Sequence, residues 1–364
     1  MADCAELRDV LLLHQRRYPK LQIQDLVKLV FQNEFAGGHM IADAESSLQR
    51  LRAECQALVG SCSSERPGDV FLSIGNGLCR LDLAAISGAG VQLTTVNQFF
   101  VNTARSRRGD LTSFERKLEL LRDCCQTGQL PHVAADLEAF LLAYRAQGYP
   151  AVSHSVVYRD HYKPAYQVVD SVHRDFFALF CRIDGLLESQ ATVCVAIDGP
   201  SGAGKSTLAA LLGQVYNCNI FHMDDFSLPP ELKTEERLAE AGGNVDYLRF
   251  RQEVVGGLQT GREFSYRPYD CRRQTYGQPV TVSPKRLNVI EGVYSQHPAL
   301  VDCYQLEVFL SVDKAEQLRR IERRNGPLML KRFINEWIPL ENTGAGRVKP
   351  PAGSCDTERT RTCT

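Results

Sequence analysis

Residues 192–207 read Thr-Val-Cys-Val-Ala-Ile-Asp-Gly-Pro-Ser-Gly-Ala-Gly-Lys-Ser-Thr, a β-branched apolar run that ends in a glycine-rich loop. Gly199, Gly204, Lys205 and Ser206 satisfy the spacing G-x-x-x-x-G-K-[ST]. This pattern restricts the fold sharply. The glycines let several backbone N–H groups converge on one phosphate chain, between a buried strand and the start of a helix. Gly199, Ser201, Gly202, Ala203, Gly204, Lys205, Ser206 and Thr207 are therefore the candidate contacts to a nucleoside triphosphate. Lys205 supplies charge for the β and γ oxygens, and the Ser206 hydroxyl completes a Mg²⁺ shell. Leu208-Ala-Ala-Leu-Leu212 continues as a helix-forming segment.

The rest of the composition narrows the partners. With 42 basic against 43 acidic residues the formal charge is −1, which argues against a dedicated nucleic-acid or anionic-membrane binder. No apolar stretch approaches the roughly 20 residues of a membrane span. Asp3, Glu6, Arg8 and Asp9 flank only a short apolar run, so no signal peptide is expected. The 13 cysteines are scattered without a Cys-x-x-Cys, and Cys181, Cys194 and Cys218 sit in apolar runs. They read as small buried hydrophobes in a reducing, cytoplasmic setting.

Length allows two domains. Segments 5–18, 21–35, 40–58, 94–106, 113–126, 132–147 and 171–188 carry apolar residues at three- and four-residue spacing, which predicts a mostly α-helical N-terminal domain over 1–187. Within it, Asn76-Gly77 between short apolar runs predicts a hairpin over 71–83. From 188 the pattern alternates: strands at 192–198, 218–223, 286–291 and 305–312, helices at 205–216, 245–258, 313–325 and 328–337. That alternation predicts an α/β domain over 188–341, a parallel sheet with flanking helices around the phosphate loop. Asp313 and Glu316 read as a capping box. Residues 342–364 contain no Leu, Ile, Phe, Met, Trp or Tyr, and are expected to stay disordered.

A phosphate loop alone leaves the reaction open, so the acceptor side must decide it. Phe221-His-Met-Asp-Asp-Phe-Ser-Leu-Pro-Pro230 falls at the end of the second strand, where parallel sheets meet their ligands. A carboxylate there can take the proton of an attacking hydroxyl and help hold Mg²⁺. With His222-Met-Asp-Asp-Phe226, Gly243-Asn-Val-Asp246, Pro268-Tyr-Asp270 and Val289-Ile-Glu-Gly-Val-Tyr-Ser-Gln296 following the loop in order, residues 190–340 resemble the uridine kinase family, within the group that includes phosphoribulokinase and pantothenate kinase.

The resemblance implies ATP and Mg²⁺ as cofactors and a small-molecule hydroxyl as acceptor, the 5′-hydroxyl of uridine or cytidine foremost. It makes Asp224 the base, and Ser206, Asp224 and Glu291 the metal-side oxygens. Asp246 falls at the sugar-binding position, Tyr269 at the aromatic wall of the acceptor pocket, and Arg319 with Arg323 in the lid helix 317–324. Each has a plainer alternative: a helix N-cap for Asp246, core packing for Tyr269, a turn cap for Glu291, a solvated helix face for the arginines. Gln274 stands where the family's uridine kinases place a base-reading histidine. Kinases for pantothenate or a sugar phosphate, and a nucleotide-binding regulator without turnover, remain open, as does a homo-oligomer.

Residues 1–185 resemble no family. Their densest polar-aromatic patch, His154-Ser-Val-Val-Tyr-Arg-Asp-His-Tyr-Lys-Pro-Ala-Tyr166, suits either an anionic or aromatic ligand or a structural seam. His39 reads as a helix-start residue, and Arg105-Ser-Arg-Arg108 as a solvated helix end.

Overall fold

The computed structural model describes residues 2–37, 43–58, 69–240, 242–342 and 355–357. His39 lies outside them. The chain divides into two units, Met1–Cys181 and Arg182–Thr364, and the division falls inside the helix Phe177–Ser189 rather than at 187/188. No helix among the described residues is long and apolar enough to cross a membrane.

In the first unit the helical periodicities become the helices Ala2–Arg17, Ile23–Phe35, Ala44–Leu58, Leu93–Ser106, Leu111–Gln126 and Ala134–Ala146. Ile23–Phe35 buries Leu26, Val27 and Val30 in a core shared with Leu7, Leu11, Phe114, Leu118, Leu121 and Leu141. Side-chain caps start several of the elements, among them Asp110 accepting from Ser113 N–H and Ser155 from Tyr158 N–H. The expected hairpin is Phe71–Gly75 with Leu78–Asp82. Its turn residues Asn76 and Gly77 have φ of 54° and 67°, a pair of left-handed positions that Asn and Gly tolerate best.

Tyr166–Asp170, which starts at the last residue of the polar-aromatic patch 154–166, adds a third strand, antiparallel to Leu78–Asp82. The helix Val156–Tyr162 fills most of the remainder. Arg105 and Arg108 are exposed, as expected of a helix end, but Arg107 pairs with Asp170 at 2.7 Å.

The second unit is the predicted parallel sheet. Leu306–Leu310, Val193–Asp198, Leu287–Glu291 and Cys218–His222 lie side by side in that order. Every residue of Val193–Asp198 is buried, which is why it reads as a continuous apolar run rather than an alternation. The loop helix is Lys205–Val215. Predicted helix 245–258 appears as Tyr247–Phe250, a π-helical segment Arg251–Val255, and Gly256–Gln259.

The two predicted helices 313–325 and 328–337 correspond to Lys314–Arg332, broken at Gly326 ahead of Pro327, and the π-helical Phe333–Trp337. Asp313 caps Ala315 and Glu316 N–H at 2.9 and 3.2 Å. The reciprocal arm of the capping box is missing, since Glu316 is taken by Arg319 and Arg320.

Two short ribbons escaped the sequence reading: Phe264–Tyr266 with Val280–Val282, and Tyr269–Asp270 with Thr275–Tyr276. The expectation of disorder over 342–364 fails at Cys355–Thr357, which pairs in parallel with Leu306–Leu310. Edge pairing uses main-chain groups and needs no large apolar side chain, so composition could not exclude it. Residues 343–354 and 358–364 lie outside the described residues.

Candidate active site at the carboxyl end of the parallel sheet

Strand Val193–Asp198 delivers the chain to the loop, and Asp198 then fastens the turn. Its Oδ1 accepts from Gly199 N–H at 2.6 Å and from Tyr294 N–H at 3.2 Å, and its Oδ2 from Gln296 N–H at 2.9 Å. Burial pushes this carboxyl pKa up, while those donors pull it back toward the ionised form. Gly199 has φ of 143°, and a Cβ there would stand 2.2 Å from the Leu310 carbonyl oxygen. Only glycine lets the loop leave the sheet at that angle.

Lys205 is buried, and its Nζ donates to the Gly199 and Pro200 carbonyls at 2.7 and 3.1 Å. Burial lowers its pKa, against the fields of Asp198, Glu341, Glu291 and Asp224. The loop also holds a carboxylate that sequence reading missed. Ser201 donates its N–H and its hydroxyl to Glu341 at 3.0 and 2.6 Å. An acidic oxygen pair thus sits on loop donors of the kind that hold phosphate. Nothing in the low-apolar sequence after Leu340 signalled this contact.

The metal-side candidates come together only in part. Ser206 Oγ donates to Glu291 Oε1 at 3.0 Å, and His222 Nδ1 lies 2.6 Å from the same oxygen. Parallel register explains the meeting, because Glu291 stands opposite Ile197 on one side and His222 on the other. The Glu291 hydrogen bond raises the His222 pKa. His222 was not among the sequence candidates, although its place at the end of the second strand, directly before Met223, was visible. Among the described residues no group of three or more His, Cys, Asp and Glu side chains converges to hold a metal. The oxygens of Ser206 and Glu291 are hard donors of the type Mg²⁺ takes.

Asp224 and Asp225 occupy the 3-10 turn Met223–Phe226. Asp224 is exposed, whereas Asp225 is half-buried and accepts from the Tyr266 hydroxyl at 3.4 Å. Burial raises the Asp225 pKa.

The acceptor-side residues divide. Asp246 is a helix N-cap, accepting from Arg249 N–H at 3.1 Å and pairing with its guanidinium at 3.5 Å. Tyr269 is buried against Tyr276, yet its hydroxyl has no hydrogen-bond partner among the described residues. A buried, unpartnered hydroxyl is costly unless a ligand satisfies it. Gln274 is exposed at the turn of the short ribbon, with φ of 52°.

The arginine helix meets the loop through a different side chain from the two expected. Arg320 Nη1 donates to the Gly202 carbonyl at 3.1 Å and Gln317 Nε2 to the Ser201 carbonyl at 2.9 Å. Arg319 instead pairs with Glu316 at 2.5 Å, and Arg323 is exposed. With 3.6 residues per turn, the face carrying Gln317, Arg320 and Ile321 is the one turned to the loop.

Fold and loop together define a parallel α/β unit with a phosphate-binding loop. Comparison with known proteins adds two partial likenesses. One is to a structure described as a "Possible Uridine Kinase from Bacillus stearothermophilus", 22% identical, covering 45% of this chain and 96% of that one, with a TM-score of 0.32. Another is to a "putative fructose transport system kinase from Silicibacter sp. TM1040", 26% identical, covering 40% of this chain and 80% of that one, with a TM-score of 0.33. No protein-family model and no curated protein sequence matches the chain. Overlaps of this quality assign no substrate, and the chemistry rests on the side chains above.

Proposed function

We propose that the unit Arg182–Thr364 is an ATP-dependent small-molecule kinase that transfers the γ-phosphoryl group to a hydroxyl, with the 5′-hydroxyl of uridine or cytidine as the acceptor. One observation carries the reading. The hydrogen-bonded line from Ser206 through Glu291 to His222 ties the loop helix to the strand end from which Asp224 projects. A phosphate-holding loop, a metal-side oxygen pair and an exposed carboxylate thereby share one end of the sheet.

In this reading the loop N–H groups and Lys205 hold the triphosphate, and Asp224 accepts the acceptor's hydroxyl proton as its oxygen bonds to the γ-phosphorus. The β–γ bridge breaks, and ADP departs. Ser206 and Glu291 would hold Mg²⁺, which supplies charge neutralisation for the phosphate oxygens. Tyr269, with its unpartnered hydroxyl, and the Gln274 amide suit an acceptor that offers both a flat face and hydrogen bonds. The ordered motifs at 198–207, 222–226, 243–246, 268–270 and 289–296 favour a nucleoside over other alcohols.

A second reading, nucleotide binding without turnover, is favoured by Glu341, whose carboxylate occupies loop donors. ATP consumption against a panel of nucleosides and small alcohols, with products identified by mass, separates the two. A nucleoside monophosphate formed with ADP supports the kinase. ATP binding without any phosphorylated product supports the second reading.

A further inference from the structure

The stretch 154–166 forms one side of a built site within the unit Met1–Cys181. His154 and Asp25 are both buried, with His154 Nδ1 2.9 Å from Asp25 Oδ1. Ser155 donates its N–H and its hydroxyl to the same carboxylate at 2.9 and 2.7 Å. Burial holds the His154 pKa down at about 4, so the ring is neutral at neutral pH and its Nδ1–H donates to Asp25. Its other nitrogen must then accept, and the Tyr166 hydroxyl lies 2.6 Å away. That hydroxyl accepts in turn from Gln32 Nε2 at 3.2 Å. Gln32 Oε1 accepts from Arg80 Nε and Nη2 at 3.1 and 2.7 Å. With the ring neutral, the row runs from a guanidinium at one end to a carboxylate at the other, and the Tyr166 hydroxyl also lies 3.4 Å from Gln32 Oε1.

Arg80 is only 5% exposed, and among the described residues no carboxylate pairs with it. Its guanidinium stands 4.5 Å over the Tyr166 ring and directs two N–H groups to a single amide oxygen. The same side chain lines a small pocket of about 40 Å³, together with Arg17, Tyr18, Tyr158, Tyr162 and Tyr166. Two acids reach the wall but do not answer Arg80: Asp69 pairs with Arg17 at 3.0 Å, and Asp82 Oδ1 accepts the Ala84 and Ala85 N–H groups. Burial is the main cause of the lowered pKa values of Lys28 and His14, and Arg80 adds to both, with Asp25 opposing it at Lys28.

A buried cation without a counter-charge beside an open pocket is a place for an anion. We propose that this pocket binds a small molecule bearing an oxyanion, a phosphate monoester or a carboxylate. The free N–H groups of Arg80 hold the anion, and the tyrosine rings pack on its body. The site lies wholly outside the kinase unit and needs none of that unit's residues.

The test is isothermal titration of the full chain carrying Lys205→Ala, which blunts binding at the phosphate loop. The probes are inorganic phosphate, uridine 5′-monophosphate and 4-hydroxybenzoate, so that the head group is decided by which of them binds. Arg80→Met is expected to weaken binding by about tenfold or more. Two exposed changes keep the proposal testable if that variant fails to fold. Arg17→Gln should weaken binding a few-fold and Asp69→Asn should tighten it a few-fold, both with unchanged melting temperature. The proposal is overturned if no probe binds at millimolar concentration. It is equally overturned if binding is indifferent to Arg17→Gln and Asp69→Asn, or to Arg80→Met in a folded protein.

Discussion

Asp224 and Asp225 are chemically identical neighbours that the fold treats differently. Among the described residues the exposed Asp224 carries no side-chain hydrogen bond to limit its access to an acceptor hydroxyl, while Asp225 is half-buried and engaged by Tyr266. Asp224→Asn should keep ATP affinity within a few-fold and lower kcat by ~10²–10⁴, the range for losing general-base assistance. Asp225→Asn should do much less to kcat, and steady-state kinetics on both variants decides between them. Glu341 makes a second case. Its carboxylate competes for the Ser201 donors, so Glu341→Gln should tighten ATP binding by about 3–10-fold in a direct titration. Unchanged affinity would mean that the carboxylate does not compete. The motif residues of the loop were legible because each has a local backbone or charge reason to be there. His222 and Glu341 were not, because their roles arise from register and from a contact distant in sequence.

At the scale of elements, legibility followed burial. Val193–Asp198 and Leu287–Glu291 are buried at every position and read as strands without ambiguity. Tyr166–Asp170 did not, since Pro164 and the surrounding polar residues masked a five-residue strand that needs the hairpin beside it. The helix Lys314–Arg332 was read correctly as arginine-rich, but its loop-facing side was not, because Arg319/Arg323 and Arg320/Arg324 have the same spacing. Packing between helices yields a further prediction. Lys117, on Leu111–Gln126, is buried against Glu34, on Ile23–Phe35, at 2.7 Å, and also donates to Asn33 Oδ1 at 2.6 Å. Lys117→Met leaves a buried carboxylate without its counter-ion and should cost about 3–5 kcal/mol, read by urea denaturation. A loss below about 1 kcal/mol would show that Glu34 is satisfied by Asp110 N–H and the Ser113 hydroxyl alone.

For the molecule as a whole, the two units differ in how they should respond to acid. Four histidines of Met1–Cys181 are held neutral mainly by burial: His14 has its pKa lowered to about 3, His154 and His173 to about 4, from 6.5, and His132 is shifted in the same direction. Because the folded values lie below the unfolded one, the unfolded chain binds more protons in between. Stability from these groups is full above about pH 6.5 and falls as pH drops from there toward 4, by up to about 1.4 kcal/mol per pH unit for each histidine. Scanning calorimetry should show a transition that shifts down between about pH 7 and about pH 5, while fluorescence of Trp337, in the other unit, moves less. A melting profile flat over that range would contradict the burial argument. The change of pattern near residue 188 predicts two domains, and the chain divides into two units at Cys181/Arg182. The kinase reading of the second unit is the central claim, and product analysis tests it most directly. Full-length protein incubated with ATP, Mg²⁺ and uridine or cytidine should yield ADP and the 5′-monophosphate by mass, and Lys205→Ala should abolish both while the protein stays folded. ATP bound tightly but no phosphorylated product from any nucleoside or small alcohol in the panel would contradict it.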